Sequence, residues 1–313
     1  MSHTQDTAPC CWVCGCAEVS PHKHVGIDRP LRPEDLRITD HRYGVTLELL
    51  RCRRCGFIFA EGDDLARLVS LYERLADDEY EQTQEPRRLQ MRWLLDLGLR
   101  ALPAARTLLD VGAAVGAFVV EAGETGLDAV GIEPSRPLVD AARQLHGVDL
   151  VRGTLPHEAL AGRTFDLVYL ADVIEHVTDP MGMLAACRDM LAPRGVIIVV
   201  TPDAASVAAR LLGRRWWHYR LAHVGYFTRA NLTRALRSAG MKPIRWVRAK
   251  WFFRAGYLAE RLANYLPIGP INRLAERGGL LGRLYRQIVP LNLFDSWVVL
   301  ARVADVADNG GHG

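Results

Sequence analysis

The stretch "LLDVGAAVGAFVVEAG", residues 108–123, places a glycine-rich turn between an apolar strand pattern and an apolar helix pattern. A strand that enters a helix through such a turn is the opening unit of a parallel sheet covered by helices, and its backbone can approach a nucleotide-sized ligand. In the dinucleotide-binding form of the turn, G-x-G-x-x-G, the middle residue is glycine so that the backbone can contact a pyrophosphate. Here that residue is Ala114. The turn therefore favours a nucleotide-type ligand that has no pyrophosphate.

The chain continues to alternate between strand and helix patterns after this turn. The strand patterns are "TLLDVG", "LDAVGIEP", "VDLVRG", "FDLVYLADV" and "GVIIVVTP", and helices are predicted at 116–125, 135–146 and 179–191. Ser135 is a suitable N-cap for the second of these helices, because Pro137 fixes φ in its first turn. The alternation predicts an α/β fold with a parallel sheet covered on both faces.

Two cofactors bind at the first strand-to-helix turn of such a sheet, a nicotinamide dinucleotide or S-adenosylmethionine. S-adenosylmethionine has no pyrophosphate, so Ala114 favours it over NAD. Glu133 ends the second strand, where its carboxylate can accept hydrogen bonds from both ribose hydroxyls. An acid at that position also occurs in NAD sites, so it does not discriminate between the two.

Four segments together resemble the class I S-adenosylmethionine-dependent methyltransferases, in their ubiquinone-pathway-like branch. They are "LLDVGAAVG", "VGIEPS", "FDLVYLADVIEHVTDP" and "HVGYFTRANLTRALRSAGM", and the resemblance extends over residues 80–303. It implies a Rossmann-like, seven-stranded, mostly parallel sheet that is closed by a reversed strand pair, "KPIRWVRAK" and "SWVVLARV". The segment "RGTLPHEAL" lacks the acid that usually meets the adenine, so we expect backbone and apolar contacts near Thr154 and Leu155. The expected cofactor-binding residues are Asp110, Gly112, Ala114, Gly116, Glu133, Leu155 and Asp172.

Methyl transfer is an in-line displacement, in which the protein aligns an acceptor and removes the proton of an acceptor hydroxyl. His176 lies just after the fourth strand, and His223 lies in the segment predicted to cover the site. Either histidine is a candidate base, and either could instead be a structural histidine bound to backbone. Asp172 ends the fourth strand and is expected to contact the cofactor or orient the acceptor.

Six of the seven cysteines precede residue 56, and four of them form the pairs Cys11-x2-Cys14 and Cys52-x2-Cys55. Two such pairs on separate turns present four thiolates to Zn²⁺. The predicted site is structural, because four thiolates leave no open coordination position. Cys10 and Cys16 leave an alternative register for the first pair. The module resembles N-terminal zinc-binding segments of some sugar and natural-product methyltransferases.

Charge is divided unevenly along the chain. Residues 203–300 contain 17 Lys and Arg against 4 Asp and Glu, although the whole chain carries a net charge of only +3. This excess predicts an acidic partner, such as a phosphorylated or lipid-linked small-molecule or glycan acceptor, or solvated helix faces. A basic, amphipathic insert before the last strand also predicts peripheral contact with the inner face of a membrane.

The remaining expectations concern location, boundaries and alternatives. The start "MSHTQDTAPCC" lacks a signal-peptide pattern, so a cytoplasmic protein with reduced thiols is expected. The predicted parts are a zinc ribbon at 1–60, a helical connector at 61–104, a methyltransferase core at 105–303 with a helical insert at 251–295, and a disordered tail at 304–313. The alternatives are an RNA methyltransferase, a zinc-ribbon nucleic-acid-binding protein and, less favoured, an NAD-dependent oxidoreductase. Nucleic acid is disfavoured because no N-P-P-Y signature is present.

Overall fold

The computed structural model describes residues 9–24, 29–37, 43–76, 84–263 and 279–304. Its centre is a seven-stranded sheet in the order β10-β13-β8-β7-β4-β5-β6, in which the last five strands of this order are parallel. These strands are β4 (Thr107–Val111), β5 (Asp128–Glu133), β6 (Val151–Arg152), β7 (Phe165–Ala171), β8 (Leu191–Pro202), β10 (Met241–Arg248) and β13 (Ser296–Val303). The pair β10 and β13 is antiparallel, and β13 is also antiparallel to β8. The expected Rossmann-like, seven-stranded sheet with a reversed closing pair is confirmed.

Helices cover both faces of this sheet. The helices in the described part of the chain are α1 (Leu65–Tyr72), α2 (Gln84–Ala101), α3 (Ala117–Glu124), α4 (Arg136–His146), α5 (Pro180–Asp189), α6 (Val207–Leu212), α7 (Arg229–Ser238), α8 (Ala255–Ala263) and α9 (Gly279–Arg286). One apolar cluster joins the sheet to α2 and α3, and another joins its opposite face to α5 and α7. None of these helices is long and apolar enough to cross a bilayer.

Local sequence accounts for the start of α4. Ser135 Oγ accepts a hydrogen bond from the backbone N–H of Leu138 at 3.3 Å, and Pro137 lies in the first turn. A cap of this kind stabilises a helix by about 1 kcal/mol. Ser135 Oγ also donates to the carbonyl of Leu75 at 2.6 Å. The cap therefore ties the start of α4 to the segment that follows α1.

A second, four-stranded antiparallel sheet has the order β1-β2-β3-β9. Three of its strands come from the N-terminal module: β1 (Val19–Lys23), β2 (Glu48–Cys52) and β3 (Ile58–Glu61). The fourth, β9 (Gly225–Tyr226), comes from the segment between β8 and α7. Phe57 packs on Phe227 with ring centroids 4.8 Å apart, within the cluster that also contains β4 and β7. The N-terminal module is therefore joined to the core by both strand pairing and side-chain packing.

The segment before the last strand contains strands as well as the expected helices. β11 (Trp251–Arg254) pairs antiparallel with β12 (Ile288–Leu291), and α8 and α9 lie between them in the chain. The pairing of β11 with β12 joins the two ends of this insert. The helical pattern of the residues between them did not predict these strands. The expected disordered tail lies, from residue 305 onward, outside the described residues.

Candidate active site and cysteine cluster

The glycine-rich turn follows β4 at the carboxyl edge of the parallel strands. Gly112, Ala114 and Gly116 have φ values of +76°, +48° and +74°. This left-handed region is unstrained for glycine but uncommon for alanine. A Cβ atom on Gly112 would lie 2.5 Å from Cγ2 of Val173, so the turn packs closely against the loop after β7. The turn therefore needs glycine at position 112 for both conformation and space.

Glu133 and Asp110 lie buried beside this turn on adjacent strands. Glu133 accepts backbone hydrogen bonds from Ala114 through Oε2 and from Ser135 through Oε1, each at 2.9 Å. Burial raises the pKa of Glu133 to about 7, against the opposing effect of these two N–H donors. Burial and the nearby charge of Glu133 raise the pKa of Asp110 to about 7. The bonds fix the Glu133 carboxylate, and each of its oxygens keeps a second lone pair for a ligand hydroxyl.

Leu155 follows β6, at the carboxyl edge of the same sheet. Its side chain is buried in the apolar cluster that includes Ile132 of β5. A buried leucine side chain can pack against an adenine ring, but it cannot form a hydrogen bond with it. The glycine-rich turn, Glu133 and Leu155 thus lie at or beyond the carboxyl ends of β4, β5 and β6, and their role toward a cofactor stays a prediction.

Asp172 follows β7 and occupies the left-handed region, with φ of +55°. A non-glycine residue in this conformation is often found at functional sites. Asp172 keeps exposed surface, yet the protein that surrounds it limits its hydration and raises its pKa to about 7. Arg87 and Arg220 oppose that shift, whereas the charge of Asp295 adds to it. An accessible carboxyl group with a pKa near neutrality is the kind of group that active sites contain.

Glu175, His176 and His223 lie together next to Asp172. One ligand atom from each of the three lies within 4.8 Å of the other two. The rings of His176 and His223 are nearly perpendicular, with centroids 4.7 Å apart. Glu175 accepts a hydrogen bond from Thr201 Oγ1 at 3.0 Å through Oε2. Its Oε1 and Nδ1 of His223 are buried and have no hydrogen-bond partner within the described ranges.

The hydrogen bonds of His176 determine its tautomer. Its Nδ1 lies 2.8 Å from the carbonyl oxygen of Ala222. A carbonyl only accepts, so Nδ1 carries the proton and Nε2 of the neutral ring is an acceptor. Burial lowers the pKa of His176 to about 4, and it lowers that of His223 well below its usual value, with a further contribution from His176. Both rings are therefore neutral at neutral pH, the state in which a histidine can take a proton.

His223 also contacts His218, which in turn pairs with Asp295. His218 stacks on His223 with centroids 5.9 Å apart, and Nε2 of His218 lies 3.1 Å from Oδ2 of Asp295. Trp217 Nε1 donates to the same oxygen at 2.9 Å. Burial alone would raise the pKa of Asp295, but the hydrogen bonds from His218 and Trp217 hold it below its usual value. Sequence reasoning missed His218 and Asp295, because they pair across 77 positions and neither belongs to a local motif.

The four predicted zinc ligands come together in the N-terminal module. Cys11 Sγ lies 3.5 Å from Cys55 Sγ, and Cys14 Sγ lies 3.6 Å from Cys52 Sγ. All four sulfurs are within 4.8 Å of one another. Four Zn–S bonds of about 2.3 Å in a tetrahedron separate the sulfurs by about 3.8 Å, so the cluster fits this ion. The first pair has the Cys11 and Cys14 register, and Cys10 and Cys16 are not part of the cluster.

The cysteine module and the His223 segment share main-chain hydrogen bonds. Phe59 in β3 pairs with Gly225 in β9, and the N–H of Ala60 donates to the carbonyl of Val224 at 2.7 Å. On its other side, the N–H of Val224 donates to the carbonyl of Glu175 at 2.8 Å. The segment that carries His223 is therefore held between the cysteine module and the loop after β7.

The sheet order and the turn after β4 define a Rossmann-like α/β protein, with the fixed carboxyl group of Glu133 at the end of β5. Residues 81–245 match the family described as methyltransferase domain. This match covers more than half of the chain, and the chain belongs to that family.

The chain is also similar to individual methyltransferases. A ubiquinone biosynthesis O-methyltransferase from Cereibacter sphaeroides is 31% identical over 150 residues, which are 44% of this chain and 60% of the relative. One of the same name from Ruegeria pomeroyi is 31% identical over 161 residues, 48% of this chain and 65% of the relative. The chain thus matches less than two thirds of the length of these relatives. A solved SAM-dependent methyltransferase from Thermotoga maritima is 19% identical, with 73% of this chain and 95% of that one covered and a TM-score of 0.46.

Proposed function

We propose that this protein is an S-adenosylmethionine-dependent methyltransferase that acts on a small-molecule acceptor. The observation that carries the proposal is the placement, at one edge of the sheet, of the fixed carboxyl group of Glu133 and of the contacting rings of His176 and His223. Glu133 is oriented by two backbone N–H groups, and Nε2 of His176 is an unprotonated acceptor. The first feature suits a nucleoside, and the second suits proton removal from an acceptor.

The bound cofactor would supply a methyl group on a sulfonium centre, which is already a good leaving group. Glu133 would accept hydrogen bonds from the ribose hydroxyls, and the turn from Gly112 through Ala114 to Gly116 would carry the amino-acid and adenosine parts. Asp110 would support the turn from below, and Leu155 would lie against the adenine. Asp172 precedes Val173, which packs against Gly112 of the turn, and it would orient the acceptor or contact the cofactor.

The remaining chemistry belongs to His176 and His223. A hydroxyl acceptor must lose its proton as the methyl group is transferred, and a neutral imidazole within hydrogen-bond distance can receive it. His176 is the better base candidate, because its Nδ1 proton is fixed on the carbonyl of Ala222 and its Nε2 is available. His223 would pack against His176 and, through its stacking on His218, keep the pair in register.

The acceptor is proposed by analogy with relatives whose names describe O-methylation in ubiquinone biosynthesis. We propose O-methylation of a small molecule, with a sugar or glycan as the sequence-based option. Lipid linkage, peripheral membrane contact and a cytoplasmic location stay predictions of the sequence. The four-cysteine cluster is proposed to hold a structural Zn²⁺, since its sulfur spacing fits a tetrahedral site.

Calorimetric titration with S-adenosylhomocysteine and with NAD tests the cofactor. We expect the first to bind and the second not to bind. Glu133→Ala should weaken S-adenosylhomocysteine binding by at least tenfold to a hundredfold, because the loss of even one hydrogen bond to a carboxylate costs ~1.5–3 kcal/mol. Glu18→Ala, at an exposed glutamate in the N-terminal module, is the matched control and should bind normally. Unchanged affinity in Glu133→Ala would remove the ribose assignment. Transfer of labelled methyl groups to a cell extract, followed by product identification, then finds the acceptor.

A further inference from the structure

A basic groove of about 660 Å³ lies outside the candidate active site, between α7 and the edge strand β10. Its side chains include Arg229, Arg237, Arg245, Arg248, Trp246 and Trp297. Arg229 and Arg237 are eight residues apart, so they lie two helical turns apart on the same side of α7. Arg245 and Arg248 face them from β10. Four guanidinium groups thus converge on one surface.

The charge of this groove is mostly uncompensated. Arg229, Arg237 and Arg245 are exposed, and no carboxylate pairs with them in the part of the chain that the structure describes. Arg248 is the exception, since its Nη1 donates to Oδ2 of Asp203 at 2.8 Å. Like charges held this close repel one another unless an anion lies between them.

Two tryptophans orient the guanidinium groups. Arg248 lies over the ring of Trp297 at 3.5 Å from its centroid. Arg229 lies 5.1 Å from the ring of Trp246 and 5.4 Å from that of Trp297. Stacking of this kind restricts an arginine side chain and removes water from one of its faces, which strengthens its interaction with an anion. The groove is therefore partly pre-organised for a ligand with negative charge.

A short segment of chain and a series of hydrogen bonds connect the groove to the candidate active site. Arg229 follows His223 by six residues, which is at most about 20 Å of extended backbone. Asp203, the partner of Arg248, donates its N–H to the carbonyl of Asp295 at 2.7 Å. Asp295 in turn holds His218 behind His223. A continuous path of hydrogen bonds and ring contacts, from Arg248 through Asp203, Asp295 and His218 to His223, therefore links the groove to the histidine pair.

We propose that this groove binds the phosphoryl group of the acceptor. The proposal rests on the proposed methyltransferase function and adds the chemical class of its acceptor, a phosphate- or diphosphate-bearing small molecule. The guanidinium groups of Arg229, Arg237 and Arg245 donate to the phosphoryl oxygens, for which their planar forks are suited.

Inorganic pyrophosphate is the probe, titrated by calorimetry into the protein of residues 1–313, purified in reducing buffer, in the presence of S-adenosylhomocysteine. We expect saturable, one-to-one binding, weakened about tenfold by Arg237→Gln and by Arg245→Gln, as for the loss of one charge-assisted contact. Arg210→Gln is the matched control, because Arg210 is an exposed arginine of α6 outside the groove, and it should bind normally. The groove variants should keep full affinity for S-adenosylhomocysteine.

Several outcomes would overturn this assignment. Equal binding of pyrophosphate to the groove variants and to Arg210→Gln would do so, and so would no binding at all. If the arginines only protect the edge strand β10, the groove variants should self-associate in light scattering while pyrophosphate binding is absent from the wild type. Binding to phosphatidylglycerol vesicles but not to pyrophosphate would replace the small-molecule source with a lipid headgroup. If the wild type binds pyrophosphate but not S-adenosylhomocysteine, the result would instead count against the methyltransferase function alone.

Discussion

Gly112→Ala tests the geometry on which the cofactor site depends, and it needs no knowledge of the acceptor. The new methyl group would meet Val173 Cγ2 at 2.5 Å, in a backbone conformation with φ of +76°. The left-handed conformation costs an L-residue about 1–2 kcal/mol. Overpacking against a neighbour of limited mobility costs about 1–3 kcal/mol more. The two effects together predict a loss of about 2–5 kcal/mol in the free energy of unfolding.

Two other glycines separate these contributions. Gly126 has φ of +87° and nothing within 4 Å of the position of a Cβ, so Gly126→Ala should show the conformational cost alone. Gly123 lies in α3 without a positive φ and with open space around it, so Gly123→Ala should be neutral or stabilising by up to about 1 kcal/mol. Val173→Ala combined with Gly112→Ala should recover the steric part only.

Denaturant unfolding and S-adenosylhomocysteine titration measure the outcome. Gly112→Ala should be the least stable of the three single glycine variants, with its melting temperature lowered by roughly 3–8 °C. Its affinity for S-adenosylhomocysteine should also fall, because the turn must move away from the loop after β7. If Gly112→Ala has the same free energy of unfolding as Gly126→Ala and binds S-adenosylhomocysteine normally, the close contact between the turn and Val173 does not position the site.

Three further predictions concern the histidine pair and the metal. Nitrogen-15 NMR should show His176 as the neutral Nδ1–H tautomer from about pH 8 down to about pH 5, since its pKa is lowered to about 4. The unfolded ring binds its proton near pH 6.5, so acidification through this window should lower the stability of the wild type relative to His176→Gln. Metal analysis should find one zinc per chain, and an absence of zinc after purification in reducing buffer would remove the metal proposal. The Cys52→Ser variant should lose the zinc and show broadened NMR signals of His223, but it should still bind S-adenosylhomocysteine. With an acceptor identified and S-adenosylmethionine saturating, kcat/KM for the acceptor should stay level between about pH 8 and about pH 5.5 if His176 is the base. A loss of about thirtyfold would instead show that a carboxyl group with a pKa of about 7, at Asp172, Glu133 or Asp110, has to be ionised.

Features encoded by neighbouring residues were predictable from the sequence. The turn after β4, the N-cap at Ser135 and the acid at the end of β5 each depend on a few consecutive residues whose conformational preferences agree. The two C-x-x-C pairs were also predicted to lie together, and their four sulfurs form one cluster.

Features encoded by distant residues were not. Asp295 and His218 meet only after the last strand has joined the sheet, and no periodicity marks either residue. β9 has two residues, too few for any strand pattern, and its partner β3 is more than 160 positions away. β6 also has only two residues, fewer than the apolar pattern "VDLVRG" predicts, because its pairing with β5 extends over Ile132 and Glu133 alone.

The pairing of β3 with β9 limits how this protein can be divided or recombined. An N-terminal deletion that ends before α1 would remove the cysteines and also expose the main-chain edge of the segment after His223. A shortened chain of this kind would present an unpaired strand next to its own catalytic candidates, which favours association with other chains. In a chimaera with another methyltransferase, residues 9–62 and 222–228 would have to be exchanged as one unit. The boundary between the cysteine module and the core is therefore a shared sheet, and any exchange between proteins has to include both sides of it.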